Sequence, residues 1–582
     1  MTTDQPAPAV APAVVPPARS AGPSGAGPAA GGPAAPVRRG FLAKAFGVTA
    51  LLSAAGSALG LLRDLLLARY FGANQGTDAF LVAWTVPETA APLLIEDAMA
   101  FLMVPAFSLA LVLREERPEG PDPVRQLVRA TLPWLLLALC ALSVAAGLGA
   151  PQLVALLAPG LADPGLAVSC TRITAFSVLP FGVAGYLGSA LRAHHRFTAP
   201  ASIYVAYNLG ILAVLLAGQA AWGVRSAALG VAFGSVLMAG VLVAPFLRRL
   251  RPAQGRRQAR AAAGPGGGLV LIPLAMLPVA AFTLTRQAQV FIERYLGSGL
   301  PPGTISHLNY AAKVSQLAMT AGILIVTVTF PLVARALAAG DLTAARDRVE
   351  KDLGQAAAVV LLGTAFLMAC APSVVALLFQ RGAFGAHDTA ATAAVIRVYS
   401  FGLPAQAMIG VMVRPFFSLR PVVRRADDPK SDDGGRRLLD WYPVAAMAFG
   451  LLVTVGVGLA ATPDFGALGL AAGNAAGITA TAALLLRGLL LRGIALRLSL
   501  VLTGQARLLV AGVAAAGAGA LAAGLAGNPL LSTLIGGAVV VLVYAALGTA
   551  LGAAELRGPV LALARALNPT ATAAEGKLPH GR

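Results

Sequence analysis

Of the 582 residues, 57% are hydrophobic and only 12% carry charge, and the mean hydropathy is +0.76. A water-soluble domain carries about 25% charged residues, so this composition excludes a soluble globular fold and leaves an integral membrane protein. The formal charge of +19 would suggest nucleic acid in a soluble chain, but here the 44 basic residues must first be sorted by membrane side. No nucleic-acid partner is expected.

The first 36 residues hold nine prolines among Ala and Gly, with only Asp4 and Arg19 charged. Such a stretch buries too little apolar area to order itself, and residues 1–39 are expected to form a disordered cytoplasmic tail. It is not a secretory signal, because Arg38 and Arg39 follow it and the apolar run behind them is too long for an h-region. A bilayer core needs about 20 apolar residues per helix. Fourteen stretches qualify: 42–66, 78–112, 127–149, 166–191, 200–220, 225–247, 268–295, 307–334, 354–379, 387–417, 441–461, 465–491, 506–526 and 530–553. Cys140, Cys170 and Cys370 lie far apart within or beside apolar runs, which supports packing roles and neither a disulfide framework nor a metal site.

The connections predicted to face the cytoplasm are basic. They contain Arg114, Arg117 and Arg125; Arg192 and Arg196; six arginines from Arg248 to Arg260; Arg335, Arg346, Arg348 and Lys351; Arg424, Arg425, Lys430, Arg436 and Arg437; and Arg492 and Arg497. The alternate connections near 150–165, 296–306, 461–464 and 526–530 have no Lys or Arg, and those near 221 and 383 have only Arg225 and Arg381. This is the positive-inside pattern. A miscounted helix would invert the alternation, and no inversion appears, so both termini are expected in the cytoplasm.

Fragments recur at an offset of 225 residues: Ala68-Arg69-Tyr70-Phe71-Gly72-Ala73 matches Glu293-Arg294-Tyr295-Leu296-Gly297-Ser298, and Arg172 with Phe176 matches Arg397 with Phe401. Several matches at one offset imply a duplicated unit of six spans. Six is even, so the copies share orientation and are related by an axis along the membrane normal. The expected fold is therefore an all-α integral membrane protein of 14 transmembrane helices in two six-helix lobes. The lobes are an N-lobe at 40–247 and a C-lobe at 268–491, joined by a basic loop at 248–267; two extra helices at 506–553 and a cytoplasmic tail at 554–582 follow. Paired lobes of this kind enclose a cavity and work by rocking, which favours a transporter. No P-loop and no Ser/His/Asp or Cys/His constellation is present, so an enzyme is not expected.

A charge at the centre of a membrane helix costs roughly 2.5 to 3.5 kcal/mol on insertion scales and usually faces a cavity or a partner. The candidates are Arg63 and Asp64 on span 1; Asp78, Glu88, Glu96 and Asp97 on span 2; Arg286, Glu293 and Arg294 on span 7; and Lys313 on span 8. Arg69 and Arg294 also read as interfacial snorkelling, and Arg172 and Arg397 as lobe packing. Adjacent Glu96 and Asp97 are hard to ionise together, which permits proton coupling. Arg63, Arg286 and Lys313 are the candidates for an anionic substrate; Asp78, Glu96, Asp97 and Glu293 are those for gating or ion coupling. Pro87, Pro105, Pro180 and Pro331 mark expected bends. His194 and His195, beside Arg192 and Arg196, are poor metal ligands, while His387-Asp388 reads as a helix start.

The run Gly60-Leu61-Leu62-Arg63-Asp64, followed by Ala68-Arg69-Tyr70-Phe71-Gly72-Ala73 and Thr77-Asp78-Ala79-Phe80, closely resembles the first-helix signature of the MurJ (MviN) lipid II flippases. The resemblance continues through Pro87, Glu96, Val104-Pro105, Gly297-Ser298-Gly299-Leu300-Pro301, Leu308-Asn309-Tyr310-Ala311 and Leu378-Phe379-Gln380-Arg381-Gly382-Ala383-Phe384, covering about 40 to 555. It implies the fold of the multidrug/oligosaccharidyl-lipid/polysaccharide exporter superfamily in a bacterial plasma membrane. It also implies transfer of the undecaprenyl-diphosphate-linked peptidoglycan precursor between leaflets. No cofactor is implied. Alternating access would be coupled to Na+, H+ or the membrane potential, with membrane lipids and cell-wall synthesis proteins as partners and a groove at spans 13 and 14 for the lipid tail. Arg63 and Asp78 match family positions important for function, and Glu96 matches the acidic position of span 2. Three family arginines are replaced, by Ser57, Ala91 and Lys313. That departure leaves open another polyprenyl-linked glycan or amphiphile as substrate, or a non-transporting scaffold for cell-wall assembly.

Overall fold

The computed structural model describes residues 39–116, 121–250, 277–338, 340–418 and 441–556, without the side chains of 39–46, 97, 98, 101, 116, 320–332, 334, 338 and 418. The expected tails at 1–39 and 554–582, the basic loop from Arg251 to 267, and Arg117, Arg424, Arg425, Lys430, Arg436 and Arg437 lie wholly or mostly outside the described residues. Among the described residues, regular structure is entirely helical.

The first half comprises α1 (Arg39–Phe71), α2 (Gln75–Ala91), α3 (Ala98–Glu116), α4 (Pro123–Leu148), α5 (Ala150–Leu157), α6 (Pro164–Ala175), α7 (Val178–Ala193), α8 (Thr198–Trp222) and α9 (Arg225–Leu250). The second comprises α10 (Leu277–Gly297), α11 (Thr304–Ala338), α12 (Leu342–Phe379), α13 (Ala386–Ser400), α14 (Leu403–Ser418), α15 (Tyr442–Phe465) and α16 (Ala467–Leu491); α17 (Leu498–Gly524) and α18 (Pro529–Ala550) follow. Eleven helices among the described residues are long and apolar enough to cross a bilayer, or twelve if Ala386–Ser400 and Leu403–Phe417, bent by 45°, form one span. The helix α10 falls outside that number because Arg286, Glu293 and Arg294 crowd its short length. Such a helix is tolerated in a membrane only where its charged side is covered by protein or lines a cavity.

Helix starts follow local chemistry. The side chains of Asn74, Asp122, Asp163, Asp341 and Asn528 accept backbone N–H groups in the first turns of α2, α4, α6, α12 and α18. Asp388 accepts the Gly385 N–H at 2.9 Å, closing the start of α13 as its His-Asp pair predicts. The long second span is interrupted by a π-turn at Pro92–Asp97. Pro92 has no N–H to continue the α pattern, and the turn that absorbs the irregularity contains Glu96.

The buried apolar residues fall into clusters that respect chain halves: one is built from residues 67–246 with Ile305, and the two larger others mainly from 282–556. The described residues from Gly47 onward pack as one unit. Small residues let helices approach closely where lipid offers no hydrophobic drive. A Cβ at Gly473 of α16 would stand 2.8 Å from the Thr454 carbonyl oxygen and 2.9 Å from the Gly458 nitrogen of α15. Gly473→Leu is therefore expected to force α15 and α16 apart, at a cost of about 1–3 kcal/mol. The check is a lower Tm of the purified protein in detergent; an unchanged Tm would contradict the packing described. Helices α17 and α18 lie on α12, where Tyr544 donates its hydroxyl to the Ala358 carbonyl at 2.9 Å.

Candidate functional site

Arg63, on α1, sits between three partners. Its Nε and Nη2 donate to Oδ1 of Asp64 at 2.9 and 2.8 Å, and its Nη1 donates to Oδ1 of Asn208 on α8 at 3.2 Å. The guanidinium lies 4.4 Å from the ring centroid of Trp84 on α2, a cation–π contact worth about 0.5–2 kcal/mol. Asn208 is fixed in turn, because its Nδ2 donates to the carbonyls of Gly56 and Tyr204 at 3.1 and 3.0 Å. Arg63, Asp64 and Trp84 face Asn309 and Lys313 of α11 across one small hollow of about 10 Å³, room for about one water.

Lys313 reaches back across that hollow, placing Nζ 3.4 Å from Oε1 of Glu88 on α2. Arg294 places Nη2 3.9 Å from the other carboxylate oxygen of Glu88 and donates to Oδ1 of Asn309 at 3.3 Å. Its side chain is only 3% exposed, so Arg294 does not snorkel to an interface. The interface between α2 and the α10–α11 pair thus holds two cations and one acid at its middle.

Further along α2, Asp78 closes the same interface. Its Oδ1 accepts from the backbone N–H and hydroxyl of Ser306 at 2.8 and 2.6 Å, and its Oδ2 accepts the Gly303 N–H at 2.6 Å. The first N–H groups of a helix have no partner within it, and Asp78 supplies one to α11 from the other half of the chain, with its charge at the favourable end of the helix dipole. The loops beside it interlock. The Ala383 N–H donates to the Arg69 carbonyl at 2.8 Å, and Gly160 donates to Oγ of Ser298 at 3.2 Å. Gly303 has φ +93°, and a Cβ there would stand 2.7 Å from the Ala73 carbonyl oxygen; only glycine tolerates both conditions.

Arg63 and Lys313 are brought together, whereas Arg286 does not line their hollow. Phe282, Arg286, Gln289 and Glu293 fall on one stripe of α10, where the Phe282 ring packs 5.9 Å from Phe417. On the same stripe, Glu293 accepts from Nδ2 of Asn474 at 2.6 Å and from Nε2 of Gln289 at 3.3 Å. Arg294, eight residues beyond Arg286, is rotated about 80° away and faces α11. Arg286 is exposed and has no ion pair or hydrogen bond among the described residues. Glu96, in the π-turn, accepts the Tyr204 hydroxyl at 2.5 Å. The Asp97 side chain lies outside the described residues. Arg69, Arg172 and Arg397 are exposed, and Arg397 donates to the Met368 carbonyl at 3.2 Å. At the end of α7, burial pushes the His194 pKa below the ordinary histidine value while its Nδ1 rests 2.8 Å from the Ala190 carbonyl.

A larger groove of about 860 Å³ runs between the chain halves, lined by residues such as Val86, Leu93, Leu157, Phe291, Tyr295 and Leu459. It is formed without α17 and α18. Asn208, Trp84, Tyr204, Ser306 and Asn474 are uncharged and stand outside the charged candidates of the spans. The signal for Asn208 and Asn474 was present, since a lone amide inside an apolar span usually bridges helices. Trp84, Tyr204 and Ser306 resemble ordinary span residues until their partners are seen.

The fold is that of a multi-helix membrane transporter. A solved structure titled as lipid II flippase MurJ in an inward closed conformation aligns with a TM-score of 0.66 at 17% identity, covering 86% of this chain and 98% of that one. An inward-facing multidrug resistance MATE family transporter of the MOP superfamily aligns with a TM-score of 0.59 at 14% identity, covering 75% and 94%. The family profile described as lipid II flippase MurJ matches residues 67–424. This chain belongs to the MurJ family. A probable lipid II flippase MurJ of Rhizobium meliloti strain 1021 is 29% identical over 380 residues, 62% of this chain and 67% of that protein. The lipid II flippase MurJ of Burkholderia cenocepacia is 29% identical over 384 residues, 62% of this chain and 70% of that protein. With its many apolar helices, the chain is a multi-pass plasma-membrane protein.

Proposed function

We propose that this protein moves lipid II, the undecaprenyl-diphosphate-linked peptidoglycan precursor, across the bacterial plasma membrane by alternating access. The observation that carries the reading is the pairing of Glu88 with Lys313 and of Asp78 with Gly303, each separated by 225 residues. That spacing equals the sequence repeat offset, as expected if two six-helix halves face each other across a pseudo-twofold axis along the membrane normal. In the full fourteen-span arrangement, the halves are 40–247 and 268–491, with α17 and α18 outside them. Arg63 and Lys313 lie at the interface and offer positive charge to a diphosphate; Arg286, outside their hollow, is assigned the same role from its exposed position on α10. An arginine can bind the diphosphate through two parallel hydrogen bonds, whereas Lys313 acts as a point charge.

The charge bias of the connections supports an orientation with both termini in the cytoplasm and the Asp78–Ser306 end toward the outside. The described conformation is then closed outward. Asp78, Glu96, Asp97 and Glu293 serve gating or coupling to Na+, H+ or the membrane potential. Complementation of a bacterial strain depleted of its own lipid II flippase tests the substrate. Growth and normal cell shape are expected when this chain is expressed. Lysis despite correct membrane insertion would shift the substrate to another polyprenyl-linked glycan.

A further inference from the structure

We propose that Glu88 is an internal counter-anion: it occupies Lys313 and Arg294 in the closed state and is displaced by the substrate diphosphate, which thereby loosens the α2–α11 interface. This inference rests on the lipid-linked diphosphate reading above. Its basis is a contrast between two acids of α2. Asp78 is held by three hydrogen bonds of 2.6 to 2.8 Å. Glu88 is held by two cations at 3.4 and 3.9 Å, its Oε2 is buried without a hydrogen-bond partner, and so is Nε of Arg294.

A buried ion pair is stable only where its remaining hydrogen-bonding groups are satisfied. The Glu88 cluster leaves both a donor and an acceptor unused, so it is held by charge and not by fitted geometry. A diphosphate carries more negative charge and more acceptor oxygens than one carboxylate, and Arg294 has the free Nε edge to receive them. Two anions cannot share Lys313 and Arg294 without strong repulsion at this separation in a low-dielectric interior. Arrival of the diphosphate therefore expels Glu88. That removes one of the two acidic attachments of α2 to the second half and leaves Asp78, about 15 Å along the helix, as the remaining one.

The test measures binding of farnesyl diphosphate to the full-length protein in nanodiscs. Glu88→Gln removes the competing charge at nearly constant shape and is expected to tighten binding by about five- to tenfold, the equivalent of one partly buried ion pair. A purely structural role would leave affinity unchanged or weaken it, and either result with a wild type that binds overturns the displacement role alone. If neither the wild type nor Glu88→Gln binds, the diphosphate reading itself fails and takes this inference with it. Should Glu88→Gln not fold, Glu88→Asp, which withdraws the carboxylate by one methylene, is expected to tighten binding by about two- to threefold.

Discussion

Asp78→Ala is expected to abolish complementation and to reduce lipid transport in reconstituted vesicles by more than about tenfold. The substitution deletes three hydrogen bonds to Gly303 and Ser306. Each involves an ionised acceptor, a class worth about 1.5–3 kcal/mol, and the lost charge also faced the start of α11. The Gly303 N–H and Ser306 hydroxyl would remain in a tightly packed interface without their acceptor. The interface should then stay open at that end, and a cysteine placed at Thr304, 7% exposed in the native arrangement, should react faster with a membrane-impermeant maleimide. Asp78→Asn keeps one acceptor but turns an NH2 toward the remaining donors, so it should fall close to Asp78→Ala. Wild-type growth with Asp78→Ala would remove the gating role assigned to this residue.

Arg63→Ala is the second large effect. It strips the cation from Asp64, which is 5% exposed, and leaves Trp84 and Asn208 facing a void. Removing one partner of a buried pair costs about 3–5 kcal/mol, so a lower Tm is expected together with loss of transport. The double variant Arg63→Ala, Asp64→Ala separates the two effects. Deleting the unpaired acid should recover much of the Tm, but transport should stay lost because the hollow still lacks its arginine. Arg63→Lys retains charge but neither the forked contact to Asp64 nor the flat contact to Trp84, and intermediate transport is expected. Recovery of transport in the double variant would show that Arg63 serves only to neutralise Asp64.

The membrane character of the chain and its helical class were legible without coordinates because each depends on properties repeated along many residues. Apolar runs of bilayer length have few alternatives once backbone groups must be satisfied within the segment, and the shared offset of 225 appears again as Asp78 against Gly303 and Glu88 against Lys313. That Arg63, Asp78 and Lys313 each need a partner or a cavity was also legible, since a charge inside an apolar run is costly without one. Their partners were not, because Asn208, Trp84 and Ser306 lie far away in sequence or are unremarkable in type. The rotation of α10 was equally hidden. A helix turns about 100° per residue, so Arg286 and Arg294 look alike in a list of charges yet point to different neighbours, and only packing assigns Arg294 to Glu88 and Asn309. The sequence by itself determined the solvent and the class of element, which follow from composition and periodicity. Tertiary structure alone decided which acid meets which cation, because that depends on helix rotation and on approaches of a few ångströms between segments more than 200 residues apart.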